Sequence, residues 1–258
     1  MKIDYADLLS GDQIYIDGIG HFRSPKLKEL QPTQGIGYKQ YSVYVSLFTF
    51  DIDNFKKYAH LIGIKGLKAL ENKTNLNVFD LFVVINETRT MLQDALAFFI
   101  GYDEHIIWDG YKKFQIYSSN DELIGTIDRS NFEIVSGIIL QLNYIQEENK
   151  KSSLKFEDEN AKAMWEKAQK YIKKQSDANQ KSQTKYALGN YISKLCCIHN
   201  SYNLLNVYEL TVFQLYDQFF QSAFLKQMNM QDRIFSIHGG DSYDGEAWLE
   251  QINNKKGD

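Results

Sequence analysis

The sequence predicts an α+β protein, predominantly α-helical, with a small three-stranded antiparallel β-meander. Three observations predict it. Proline occurs only at Pro25 and Pro32 in 258 residues, so little interrupts long helices. Apolar residues recur at three- and four-residue spacing through several stretches, most widely over residues 206–228. Between residues 106 and 127 that rhythm gives way to short β-rich runs separated by Asp109-Gly110 and Asn120-Asp121, residue pairs that suit tight turns.

Taken in order, residues 13–19 form a short strand that enters a turn at Gly18-Ile19-Gly20, and Ser24-Pro25 starts a short helix through Leu30. This segment reads as an N-terminal flap. Tyr38, Tyr41, Val45 and Phe48 share a helical face, and Asp51 or Asp53 caps a following helix carrying Phe55, Tyr58, Ala59 and Ile62. Asn77 precedes a β-branched apolar run to Ile85 that fits a buried strand or a helix, with helix preferred. Met91, Leu92, Ala95, Leu96, Phe98 and Phe99 mark a second core helix before Gly101. In the meander Asp109-Gly110 makes a two-residue turn. Ser130 and Glu133 form a capping box for a helix through Ile145, whose Ile134, Ile138, Leu142 and Ile145 cover the sheet.

The composition then shifts to Lys, Glu, Gln, Asn and Ser, which divides the chain into a mixed helical domain with the meander (1–146), a charged helical or flexible linker (147–185) and a C-terminal helical region (186–258). In the last region residues 186–199 form a helix. Over residues 206–228, Val212, Leu215, Tyr216, Phe219 and Ala223 make one stripe and Phe213, Phe220 and Phe224 an adjoining one, with Asn206 and Glu209 as a capping box. Residues 233–237 form a short strand, and Trp248, Leu249 and Ile252 anchor the end.

Composition narrows the function. A net charge of -4 argues against a broad basic surface, so nucleic acid is not expected as a partner; the best local stretch, Tyr111 to Tyr117, has the alternation of a half-buried strand. No run of about 18 apolar residues occurs, so no membrane span is expected. The N-terminus lacks a basic segment followed by an apolar one, so export by that route is not expected either. Cys196 and Cys197 are adjacent, which fits a reduced intracellular protein better than a disulfide.

Chemical motifs are missing. Gly18-Ile19-Gly20 and Gly35-Ile36-Gly37 complete no phosphate-binding fingerprint, although His21 and Arg23 beside the first could hold an anion. His238 and Asp241 are too few ligands for a metal, and Asp51-Ile52-Asp53-Asn54 lacks the glycine and glutamate of a calcium loop. No nucleophile elbow occurs, and Glu87 and Asp94 read as a solvated helix face. No catalytic residue, metal or cofactor is expected, and the protein is not expected to be an enzyme.

Several stretches together resemble a known group: Asp7-Leu8-Leu9, Ile14 to Gly20, Ser24-Pro25-Lys26-Leu27-Lys28-Glu29-Leu30, Phe114 to Ile145, Asn206 to Phe219 and Trp248-Leu249. They are similar to tail-cluster proteins of phages and prophages of Gram-positive bacteria, commonly regarded as tail assembly chaperones. The resemblance implies a non-catalytic protein of tail morphogenesis in the cytoplasm of the infected host, binding tape-measure or tail-tube protein. A structural tail or connector component, present in the virion, and a phage regulator binding a host defence protein are the alternatives. For a chaperone, the implied partner-binding residues are Trp165, Phe213, Phe220 and Phe224, set to shield an apolar helix.

Overall fold

The Asp4 carboxylate accepts the Ala6 N–H at 2.7 Å and so caps α1 (Tyr5–Ser10), which stops at Gly11 in the left-handed conformation, φ 74°. In the computed structural model, which describes residues 1–50, 77–145 and 188–239, seven α-helices, one two-stranded and one three-stranded antiparallel sheet are present among the described residues. The fold is thus mixed and mainly helical with an antiparallel meander, as the sequence predicts. The helix placed after Asp51 or Asp53, the 147–185 linker with Trp165, and the Trp248, Leu249 and Ile252 anchors lie outside the described residues.

The chain divides into two compact units, the first Met1–Gln146 with Tyr208–Gln214, the second Glu147–Val207 with Leu215–Asp258. In the first, β1 (Ile14–Ile16) and β2 (Gly20–Phe22) pair as a hairpin in which Ile16, Ile19 and Phe22 are buried. A 3-10 turn, Leu27–Leu30, buries both leucines. The expected flap is therefore core. Its polar residues share the interior: Arg23, buried, donates from Nε to the Ile100 carbonyl and from Nη1 to Glu29 at 2.8 Å, while its guanidinium lies 4.1 Å from the centre of the Tyr102 ring.

Four helices and the meander supply most of the rest of this core. α2 (Tyr38–Leu47) buries Tyr41, Tyr44, Val45 and Leu47. In α3 (Val78–Val84) the β-branched run is helical because Asn77 and Asp80 cap each other reciprocally, each side chain accepting the other's backbone N–H. α4 (Asn86–Phe99) buries Leu92, Ala95, Leu96 and Phe99 completely. β3 (Glu104–Trp108), β4 (Phe114–Ser118) and β5 (Leu123–Ile127) form the meander. The first turn differs from expectation. Trp108 pairs with Phe114, so residues 109–113 form a longer loop. The Asp109 carboxylate organises it by accepting the N–H groups of Tyr111, Lys112 and Lys113. Gly110 has the positive φ the sequence called for, 83°, but side-chain capping by Asp109 competes with the two-residue turn and wins.

α5 (Phe132–Leu142) covers the aromatic interior with Phe132, Val135, Ile138, Ile139 and Leu142, whereas Ile134 is 41% exposed. It ends at Leu142 rather than Ile145 because Tyr144 takes φ 61° and the Ile145 N–H returns to the Leu140 carbonyl at 2.8 Å, a Schellman closure. The expected Ser130–Glu133 box is replaced by an Asp128 turn: its carboxylate accepts the Ser130 hydroxyl at 2.5 Å and the Ser130 N–H at 2.7 Å. The Ser130 hydroxyl bond, against the opposing effect of burial and aided by the backbone donors, holds the Asp128 carboxyl below the usual range. A depressed folded pKa stabilises above the usual aspartate value and ceases to do so as pH falls through the folded one. Asp128→Asn is expected to cost about 1 kcal/mol or less at neutral pH, after allowance for solvent screening, and to flatten the acid limb of a stability–pH curve.

In the second unit α6 (Leu188–Ile198) buries Leu188, Ile192 and Leu195 at the spacing of one helical face. The following loop is tied by its own side chains: Asn203 Oδ1 accepts the Leu205 N–H, and Asn206 Oδ1 accepts the Asn203 N–H, both at 2.8 Å. α7 (Val212–His238) is the longest helix among the described residues, its first three residues belonging to the first unit and the remainder to the second.

Candidate partner-binding site

α7 begins where Thr211 and Gln214 cap one another. Thr211 Oγ1 accepts the Gln214 N–H at 3.2 Å, and Gln214 Oε1 accepts the Thr211 N–H at 2.9 Å. The capping box is therefore Thr-Val-Phe-Gln, not the expected Asn206 with Glu209. Asn206 serves the preceding loop, and the Glu209 carboxylate meets Lys28 at 2.9 Å, the bond that holds Glu209 below and Lys28 above their usual pKa ranges. Thr211→Val, which keeps the shape and removes the acceptor, is expected to cost about 1 kcal/mol in thermal or urea unfolding.

The helix continues through residues 233–237, where a strand was expected. The Arg-Ile-Phe-Ser-Ile run has strand-forming residues, but Met230, Ile234 and Ile237 follow the four- and three-residue steps of the helix before them, and that longer period prevails.

The predicted aromatics are dispersed along α7. Phe213 is buried in the first unit, its ring edge-on to Tyr5 at 6.3 Å and tilted against Tyr144 at 5.2 Å. Phe224 is half-buried, and Phe220 is 38% exposed. Within the second unit Tyr191 of α6 sits edge-on to Tyr216 at 5.2 Å and to Phe219 at 4.9 Å, and Phe219 in turn meets Phe220 at 5.6 Å. Those ring contacts, worth about 0.5–1.5 kcal/mol each beyond their area, fix the first turns of α7 in this unit. Further along, Phe224 and Gln231 are half-buried and Met228 buried, which defines the covered side.

Beside that side lies an exposed one. Phe220, Ala223, Gln227, Met230, Ile234 and Ile237 are all exposed, Met230 at 62%, Ile234 at 52% and Ile237 at 74%. Lys226 and Arg233 border it, also exposed. A row of mainly apolar side chains on one helix, flanked by cations and interrupted by Gln227, can dock an apolar helix. Met230, Ile234 and Ile237 lie beyond Met228, the helix end expected from the sequence; their spacing was the available signal.

The other candidates resolve differently. His21 and Arg23 do not converge on an anion: His21 Nδ1 lies 2.5 Å from the buried Glu104 carboxylate, and Arg23 is committed to Glu29 and the Ile100 carbonyl. In Tyr111 to Tyr117, Phe114 and Ile116 are fully buried, so that alternation belongs to a half-buried strand. Burial, reinforced by the neighbouring Cys197, holds the Cys196 thiol above its usual pKa, which disfavours the reactive thiolate. No helix among the described residues is long and apolar enough to cross a membrane.

Residues 178–253, less than a third of the chain, match the model of the family described as YomV second domain; this stretch contains α6 and all of α7. No curated protein and no solved structure matches the chain. The matched family is phage- and prophage-associated, which is consistent with a phage origin for this protein.

Proposed function

We propose that this is a non-catalytic phage protein of tail morphogenesis, an assembly chaperone that binds tape-measure or tail-tube protein through the exposed side of α7. The observation that carries the reading is the row from Phe220 to Ile237 within the segment that matches a phage-associated family. Each large apolar side chain moved from water into a contact yields about 1.5–3 kcal/mol. Met230, Ile234 and Ile237 together therefore supply enough to hold a partner helix while remaining soluble between polar neighbours. The protein works in the cytoplasm of the infected host.

Two experiments test this. Co-expression with the tape-measure and the tail-tube protein of the same phage, followed by affinity purification, is expected to recover one of them in stoichiometric amount. A mass-spectrometric inventory of purified particles is expected to lack the chain; its presence at fixed copy number would instead make it a tail or connector component. Recovery of a host protein with neither tail protein would favour a host-directed regulator.

A further inference from the structure

The exposed side of α7 has a period that narrows what can occupy it. Phe220, Ala223, Gln227, Met230, Ile234 and Ile237 follow one another by steps of three, four, three, four and three residues, the a/d spacing of a coiled-coil seam. The covered residues Phe224, Met228 and Gln231 lie off this seam, whose six residues are all exposed; Leu225 and Phe235, also exposed, lie off it, and from Arg233 to Ile237 the helix is exposed all round. At 1.5 Å per residue it runs about 27 Å. We infer that the seam is a coiled-coil surface for one helix of a partner protein, an amphipathic helix with heptad apolar residues and carboxylates along the edge that meets Lys226 and Arg233. This rests on the reading of the protein as a binder of tail proteins and specifies the partner's chemistry.

Charge decides between a partner and a second copy. Positions that flank an a/d seam face the flanking positions of the other helix. Here they hold Lys226 and Arg233 on one edge and Phe224 and Gln231 on the other, while Asp232 lies on the opposite side of the helix. A second copy would bring no carboxylate to either cation, whereas an acidic-edged helix pairs both. Gln227 is the single polar residue within the seam, and it favours a partner with an amide facing it, which sets the register.

The test uses the full-length chain and two synthetic 21-residue helices with the same Ile/Leu heptad and one central Asn, one edged with Glu and the other with Lys. Fluorescence anisotropy is expected to show at least tenfold tighter binding of the Glu-edged peptide, weakened by added salt. Ile234→Glu is expected to abolish that binding with an unchanged melting temperature, and Lys226→Glu with Arg233→Glu to transfer the preference to the Lys-edged peptide. Equal binding of both peptides, no binding of either, or binding that survives Ile234→Glu would overturn the inference. So would a dimer in light scattering that Ile234→Glu dissolves, because the seam would then belong to a second copy. The two readings fail separately: tail protein recovered equally by Ile234→Glu sinks the seam and leaves the chaperone, whereas selective peptide binding without recovery of either tail protein leaves the seam and sinks the chaperone.

Discussion

Phe132→Ala is expected to destabilise the first unit by about 3–5 kcal/mol, the usual result of deleting a buried aromatic ring without collapse of the space around it. Phe132 is 5% exposed, and its ring lies 5.3 Å from Phe79, 6.2 Å from Phe82 and 6.4 Å from Phe48. Phe79 in turn is edge-on to Phe114, and Phe48 edge-on to Phe99. One ring therefore joins α3, α5 and the Phe48 cap of α2 directly, and α4 and β4 at one remove. The loss removes transfer energy and opens a cavity among rings that cannot all move inward. Urea unfolding followed by far-UV circular dichroism measures it; a loss below about 1 kcal/mol would mean that the rings repack, contrary to this account of the core.

Gly125→Ala is expected to cost about 1–3 kcal/mol or more, by overpacking. A Cβ on Gly125 would stand 2.4 Å from the Gly18 carbonyl oxygen and 2.6 Å from that of Ile19. Backbone cannot rotate aside as a side chain can, so β5 would have to withdraw from the β1–β2 turn and weaken the Thr126 N–H bond to Gly18, now 3.1 Å. Gly137→Ala in α5 is the control with the opposite sign. Nothing lies within 4 Å of its added Cβ, and replacing a helical glycine by alanine stabilises by about 0.5–1 kcal/mol. The two alanines are compared by melting temperature in one experiment.

What was legible in the sequence followed from period and local capping. The meander was readable because its turns break the helical rhythm, whereas the run from Val78 to Ile85 fitted strand or helix, with helix preferred, and the reciprocal Asn77–Asp80 caps decide it. What was not legible depended on competition between short-range bonds. At residues 109–113 Asp109 captured three successive N–H groups and lengthened a turn that Asp-Gly alone would have closed in two residues. At α7 two plausible boxes, Asn206 with Glu209 and Thr211 with Gln214, lay five residues apart; the loop claimed the first, leaving the second to start the helix. The hairpin at residues 14–22 looked peripheral because a short strand beside glycines carries no sign of being covered, yet Phe22 is completely buried.

The candidate site was half legible for the same reason. The aromatic stripe located α7 correctly, but large aromatics at helical spacing serve interior and surface alike: Phe213 went to the core and Phe220 remained at the start of the exposed row. Its far end was hidden by the β-branched residues at 234 and 237, whose local strand preference is weaker than a helical period sustained over the preceding turns.

The most direct measurement is co-purification of the tape-measure and tail-tube proteins with the full-length chain, wild type against Ile234→Glu, under identical co-expression. Ile234 is 52% exposed, so the glutamate leaves folding intact. The expected result is stoichiometric recovery of one tail protein by the wild type and at least a tenfold loss by the variant at equal melting temperature. Recovery of neither protein by the wild type, or equal recovery by both forms, would contradict the assignment of this helix as the partner-binding surface.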